Sequence, residues 1–171
     1  MTHQARPVKQ YAPGLRMTTD RDGVVIRYAR PYEGERLREI AFTAKAHWGY
    51  DPEWVRRWVA NGDFSTEALR SNETFVADDG SDVVAWAMLV PRGDIAWLED
   101  MWVVPSWMRK GIGARLFERV AARARELGAR RLEWEAEPNA VGFYEKVGGR
   151  YVRDSETSEW GRVLQIMGCD L

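Results

Sequence analysis

"VVPSWMRKGIGARLF", residues 103–117, decides the fold reading. Its valines run up to Pro105, which cannot extend a strand ladder. Beyond Gly113, the apolar residues Leu116, Phe117, Val120, Ala121, Ala124 and Leu127 recur at helical spacing, and Gly128 closes the run. Between strand and helix lie Gly111 and Gly113, next to Arg109 and Lys110. The first turn of a helix carries unpaired N–H groups and the positive end of the macrodipole. Glycines let such N–H groups approach a phosphate with no Cβ in the way. From the local pattern alone, a phosphate cradle and a plain strand-to-helix turn both stay open. The uncharged Met108 at the start of the turn is the position to explain.

Working outward, "IAWLEDMWVV" (95–104) reads as a long central strand and "RRLEWEA" (130–136) as the strand after the helix. Residues 95–136 thus form a strand–helix–strand unit, which implies one parallel pair with a crossover. Upstream, "TFVA" (74–77) and "VVAWAMLV" (83–90), joined by "DDGSD", predict a hairpin. "VVIRYA" (24–29) is a first strand, and 33–46 and 53–60 are two helices, the second opened by an Asp51 cap and Pro52. Downstream come a helix over 138–147 and strands near 149–153 and 162–168. The expected fold class is α/β: a mixed, mostly antiparallel central sheet with one parallel pair and helices on both faces. Residues 1–22, rich in proline, glycine and polar groups, read as an N-terminal extension or flexible arm. Residues 23–171 read as a single domain, as the length of 171 residues suggests.

The net charge of -1 gives no electrostatic case for nucleic acid or a membrane surface as partner. No apolar run approaches the roughly 18 residues that span a bilayer. The single cysteine, Cys169, forms no internal disulfide, so a reducing, cytoplasmic setting is the default. No His, Cys or Asp spacing suggests a metal. Nine tryptophans are an unusual number, suited to cores and aromatic-lined pockets.

Two nucleotide motifs fail on the loop. A dinucleotide fingerprint needs a third glycine where Leu116 stands, and a Walker loop needs Lys-Ser/Thr where Ala114 and Arg115 stand. A third pattern fits. Met101-x-Val103-x-Pro105, then the loop Met108-x-x-Gly111-x-Gly113, then Phe143-Tyr144-Glu145-Lys146-Val147-Gly148, resemble the GNAT superfamily of acyl-CoA-dependent N-acyltransferases. The resemblance is strong over about residues 95–152 and weaker over 24–94. "KAHWGYD" (45–51), "EPNAVGFYEKVGG" (137–149) and "GRVLQIM" (161–167) are similar to segments of small bacterial members.

The resemblance implies a GNAT fold with a splayed parallel pair. It implies transfer of an acetyl group from acetyl-CoA, as cosubstrate, to a small-molecule or peptide primary amine by direct attack. A non-catalytic, CoA-binding regulatory module of the same fold is the alternative. Homodimerisation, common in the family, is expected through the last strands or the Trp-rich helices. The pantetheine arm would lie along Met101, Trp102 and Val103. The pyrophosphate would sit on Arg109, Lys110, Gly111, Ile112, Gly113 and Ala114. Met108 fills the slot where the family has Gln or Arg, so a side-chain contact is lost there while the backbone cradle is kept. Asn139 would bond the pantetheine or cap its helix. Tyr144 would protonate the leaving thiolate, or simply pack beside Phe143. A base is also needed, with Glu99 the first choice and Asp100 and Glu135 the others. His47 suits either a base or a hydrogen-bonded helix end. His47, Trp48 and Tyr50 are expected at the acceptor pocket, with Trp54 and Trp58 equally suited to it, to the core or to a dimer face.

Overall fold

The computed structural model describes residues 23–171; the expected arm over 1–22 lies outside the described residues. In chain order the elements are β1 (Val25–Tyr28), α1 (Gly34–His47), α2 (Pro52–Ala60), α3 (Thr66–Ser71), β2 (Glu73–Asp78), β3 (Val83–Val90) and β4 (Ile95–Val103), followed by α4 (Ile112–Glu126), β5 (Arg131–Ala136), α5 (Val141–Lys146), β6 (Arg150–Asp154) and β7 (Gln165–Asp170). The strands form one seven-stranded sheet in the order β1-β2-β3-β4-β5-β7-β6. Only β4 and β5 pair in parallel; every other neighbouring pair is antiparallel. The mixed, mostly antiparallel sheet and its single parallel pair agree with the sequence reading.

Local chemistry explains most boundaries. Asp51 caps α2 by accepting from the Trp54 amide at 2.9 Å, with Pro52 as the first helical residue. α3 has no counterpart in the sequence reading. Six residues are too few to show a period, and its one signal is the Ser65 cap, which accepts from the Ala68 amide at 3.1 Å. The segment expected as one helix over 138–147 begins instead as a 3₁₀ turn, Pro138–Ala140, and becomes α5 at Val141.

Two apolar layers sandwich the sheet. On one side α4 buries Ile112, Leu116, Phe117, Val120, Ala121 and Ala124 against Phe75, Ala85, Ala87, Leu98 and Leu132. Burial of each large side chain contributes about 1.5–3 kcal/mol. On the other side α1 and α2 bury Leu37, Ile40, Ala41 and Val59 against Val76, Trp86, Met88 and Trp102. The arginines along α4 grip the sheet. Arg115 donates to the Val24 carbonyl at 2.8 Å, Arg119 stacks over the Phe75 ring at 4.6 Å, and Arg123 pairs with the buried Glu73 at 3.1 Å. Among the described residues, no helix is long and apolar enough to cross a membrane.

Candidate functional site

The site is built where the parallel pair comes apart. β4 and β5 are paired only from Ile95–Trp97 to Arg131–Glu133. Beyond that, β5 keeps its ladder with β7 to Ala136 and β4 keeps its ladder with β3 to Val103. The facing edges of β4 and β5 are left open to each other.

A bulge in β4 decides what faces this opening. Met88 pairs with Asp100 and Leu89 pairs with Leu98, so Glu99 is an extra residue with no partner on β3. One extra residue reverses which face each later side chain takes. Ala96 and Leu98 lie on the α4 side, and after the bulge Met101 and Val103 lie there too. Trp102 is sent to the α1–α2 side, and Asp100, hydrogen-bonded to the Trp102 indole, goes with it. Without the bulge, both would point into the α4 layer.

The loop after β4 is shaped to present amides. A 3₁₀ turn, Pro105–Trp107, leads to Met108, whose N–H donates to the Pro105 carbonyl at 3.2 Å. The Met108 side chain packs into the α1–α2 layer. Partly buried there, an uncharged side chain incurs no desolvation cost. Arg109 then takes φ 62, the only positive φ outside glycine among the described residues, and Gly111 takes φ 84. The N–H groups of residues 109–114 have no partner among the described residues; the first helical bond runs from Arg115 to Gly111. Six successive free amides at a helix N-terminus fit an oxyanion-rich ligand such as a pyrophosphate. The two glycines answer different needs. Gly111 supplies the left-handed backbone, whereas a Cβ on Gly113 would meet the Phe143 ring at 3.3 Å and Val103 at 3.8 Å.

On the α1–α2 face, Asp100, Glu99, Glu135, Lys45, Trp58 and Trp102 are among the residues lining a cleft of about 300 Å³. Asp100 accepts a hydrogen bond from the Trp102 indole at 2.8 Å. Burial, with the neighbouring Glu99 charge, pushes its carboxyl pKa up to about 7, against the opposing pull of that hydrogen bond and of Lys45. Glu99 is half exposed, with Arg92 3.6 Å away. Glu135 is exposed at the cleft wall.

A cluster that the sequence reading missed closes one end of this cleft. Lys45, on the apolar stripe of α1, places Nζ 2.6 Å from Glu137 Oε2, and both side chains are buried. Four rings surround the ammonium: Trp58 at 4.7 Å, Tyr50 at 5.1 Å, Trp54 at 5.4 Å and Trp102 at 5.5 Å. Tyr50 donates a short hydrogen bond to Glu137 Oε1, and Arg162 reaches the same oxygen at 3.3 Å. Burial raises the Glu137 pKa, but the Lys45 and Tyr50 hydrogen bonds and the two cations outweigh it, and Glu137 stays below the ordinary carboxylate range. A lysine on the buried stripe of α1 was the available sequence signal, since such a group needs a partner.

Tyr144 lies on the other side of the opening. Its ring packs 4.9 Å from Trp134 and 5.2 Å from Phe143. Its hydroxyl has no hydrogen-bond partner among the described residues. Burial, then the Asp100 and Glu137 charges, raise its pKa, so the phenol keeps its proton. Asn139 is exposed at the entry to α5, whose N-cap has no side-chain hydrogen bond, and makes none itself among the described residues. His47 is exposed at the end of α1 and does not line the cleft. Trp48 packs against Trp102 at 6.1 Å, behind the cleft wall.

A model described as "Acetyltransferase (GNAT) family" matches residues 34–149, from α1 through α5. The chain belongs to the GNAT acetyltransferase family. The GNAT fold recurs in solved structures. One is the PaiA N-acetyltransferase from Thermoplasma acidophilum in complex with coenzyme A, at 21% identity over 86% of this chain and 99% of that one, with a TM-score of 0.72. Another is a GCN5-related N-acetyltransferase from Rhodopseudomonas palustris, at 22% identity over 92% and 99%, with a TM-score of 0.74. A third is the ribosomal-protein-S18-alanine N-acetyltransferase from Escherichia coli, at 19% identity over 86% and 93%, with a TM-score of 0.64. No curated protein sequence matches significantly. Acyl-CoA-dependent acetyl transfer is the chemistry that GNAT membership brings to this chain.

Proposed function

We propose that this protein is an N-acetyltransferase that moves an acetyl group from acetyl-CoA directly to a primary amine. The observation that carries the reading is the run of six amides, 109–114, with no partner among the described residues, beside the edge of β4 that no described strand pairs. The amides would hold the pyrophosphate, with the Arg109 and Lys110 side chains near the remaining phosphate. The free backbone edge at Met101, Trp102 and Val103 would pair with the pantetheine arm as an added strand. Asn139, exposed next to that path, would supply a polar side chain to the arm. This route would bring the thioester towards Asp100 and Tyr144.

Asp100 is assigned as the base in place of Glu99. A carboxyl with a pKa about 7 can take a proton from an amine near neutrality. Glu99 is half exposed at the rim, and Glu135 is exposed on the wall. As the amine nitrogen bonds to the acetyl carbon, Asp100 receives its proton, directly or through a water. As the carbon–sulfur bond breaks, Tyr144 gives its phenolic proton to the sulfur and is later reprotonated from solvent. The Lys45–Glu137 cluster would form the rigid end of the acceptor cleft, with Tyr50 fixed inside it. Trp48 would act behind Trp102, without touching the acceptor.

Two measurements test this reading. Calorimetric titration with acetyl-CoA is expected to give saturable binding. Free-thiol release with a panel of primary amines is expected to depend on the amine. Absence of acetyl-CoA binding would remove the proposal, and binding without turnover on any amine would favour a regulatory module.

A further inference from the structure

The charged side chains that line the acceptor cleft are mostly acidic. Five carboxylates line it, those of Glu99, Asp100, Glu135, Glu137 and Glu159, against the single cation Lys45. Composition does not explain this, because the whole chain has 26 acidic and 25 basic residues. Glu137 is met by two cations, Lys45 at 2.6 Å and Arg162 at 3.3 Å. Glu99 has Arg92 at 3.6 Å, both half exposed. Glu135 and Glu159 are left without a cationic partner among the described residues, while Asp100 feels Lys45 and is partly protonated near neutrality. Among the described residues, Asp100 accepts from the Trp102 indole, Glu159 only from the Asn61 amide at 3.4 Å, and Glu135 makes no hydrogen bond or ion pair.

The walls around these carboxylates are aromatic. Trp58, Trp102 and Trp160 line the same cleft, and Trp160 stands edge-on to Trp54 at 5.7 Å. The chain itself demonstrates what such walls accept, since the Lys45 ammonium is seated among four rings and one carboxylate. An amine that reacts at Asp100 must arrive there without its extra proton, so it compensates neither Glu135 nor Glu159. A second ammonium on the same molecule would.

Resting on the reading of this cleft as the acceptor site, we infer that the acceptor is a small aliphatic diamine or polyamine. One amine is acylated beside Asp100, and a second, charged amine is held by Glu135 and Glu159 against Trp160. The cleft volume of about 300 Å³ suits a short linear chain.

The test compares putrescine with n-butylamine, which have the same carbon chain and differ by one ammonium. The wild-type kcat/KM ratio is expected to favour the diamine by about tenfold or more, the worth of one charged contact. Glu159→Gln, at an exposed position, is expected to bring that ratio down several-fold, and Glu135→Gln likewise. The ratio cancels any general loss of activity in either variant. Binding of the two amines, followed by tryptophan fluorescence, reads the same preference without turnover. A wild-type ratio near one, or a preference unchanged in both variants, overturns the inference and leaves acetyl transfer standing. Preferential diamine binding with no thiol release supports the subsite while counting against the transferase reading.

Discussion

Lys45 Nζ on α1 meets Glu137 Oε2, just past the end of β5, at 2.6 Å across 92 residues of chain. Nothing local brings them together. The pair ties the first helix to the strand that borders the opening, and it fixes four aromatic rings around one buried charge.

Breaking that pair from one side should therefore be costly. Lys45→Met is expected to destabilise by about 3 kcal/mol, because it leaves the buried Glu137 with only the longer Arg162 contact and the Tyr50 hydroxyl. The double variant Lys45→Met/Glu137→Gln is expected to recover much of the loss. Denaturant unfolding of the two single variants and the double variant gives the coupling directly.

Acid should weaken the fold through the same residue. The Glu137 pKa is depressed below its ordinary 4.5 in the folded state, so its contribution is complete above that pH and is lost as pH falls through the lower, folded value. Wild type is expected to lose melting temperature steeply below this point. Glu137→Gln, less stable at neutral pH, is expected to follow a flatter profile there.

Asp100 carries the opposite sign. Its carboxyl is raised from 3.8 to about 7, so the folded state holds a proton that the unfolded chain releases. Its contribution to stability falls as pH rises across that interval. Asp100→Asn is expected to be at least as stable as wild type above neutrality, yet about 10²–10⁴-fold slower. The pH profile of kcat/KM should also lose its inflection near neutrality. An unchanged rate would remove Asp100 as the base.

Tyr144→Phe keeps the ring that packs on Trp134 and removes only the proton donor. Turnover is expected to drop by about 10²-fold with little change in melting temperature or in acetyl-CoA affinity. Because the phenol pKa is raised, wild type should show no loss of rate from Tyr144 ionisation on the alkaline side.

The loop supplies a separate test of backbone against side chain. Met108→Arg restores a charge at the slot where the superfamily has Gln or Arg, but that side chain is directed into the α1–α2 layer. It is expected to destabilise by about 1–3 kcal/mol through overpacking and to bring no gain in acetyl-CoA affinity. Gly111→Ala, by contrast, must hold φ near 84 and is expected to weaken acetyl-CoA binding as the loop gives up that conformation. Calorimetry on both variants separates the two contributions.

The order of elements, the parallel unit around α4 and the glycine loop were legible in the linear chain. They rest on short-range physics: apolar periodicity, proline and glycine at turns, and the free amides of a helix start. Tyr144 and the three candidate carboxylates were also visible as residues, but not their ranking. That depended on the bulge at Glu99, which is a mismatch of register between two strands and so belongs to neither strand alone. The bulge turns Asp100 and Trp102 towards α1 and α2, and the aromatic cage, the Lys45–Glu137 pair and the inward turn of Met108 are likewise properties of packing. Sequence by itself determined which backbone could cradle a phosphate, because that chemistry is local. Only the tertiary structure decided which carboxylate enters the cleft and what surrounds it, because burial and charge compensation are set by residues far apart along the chain.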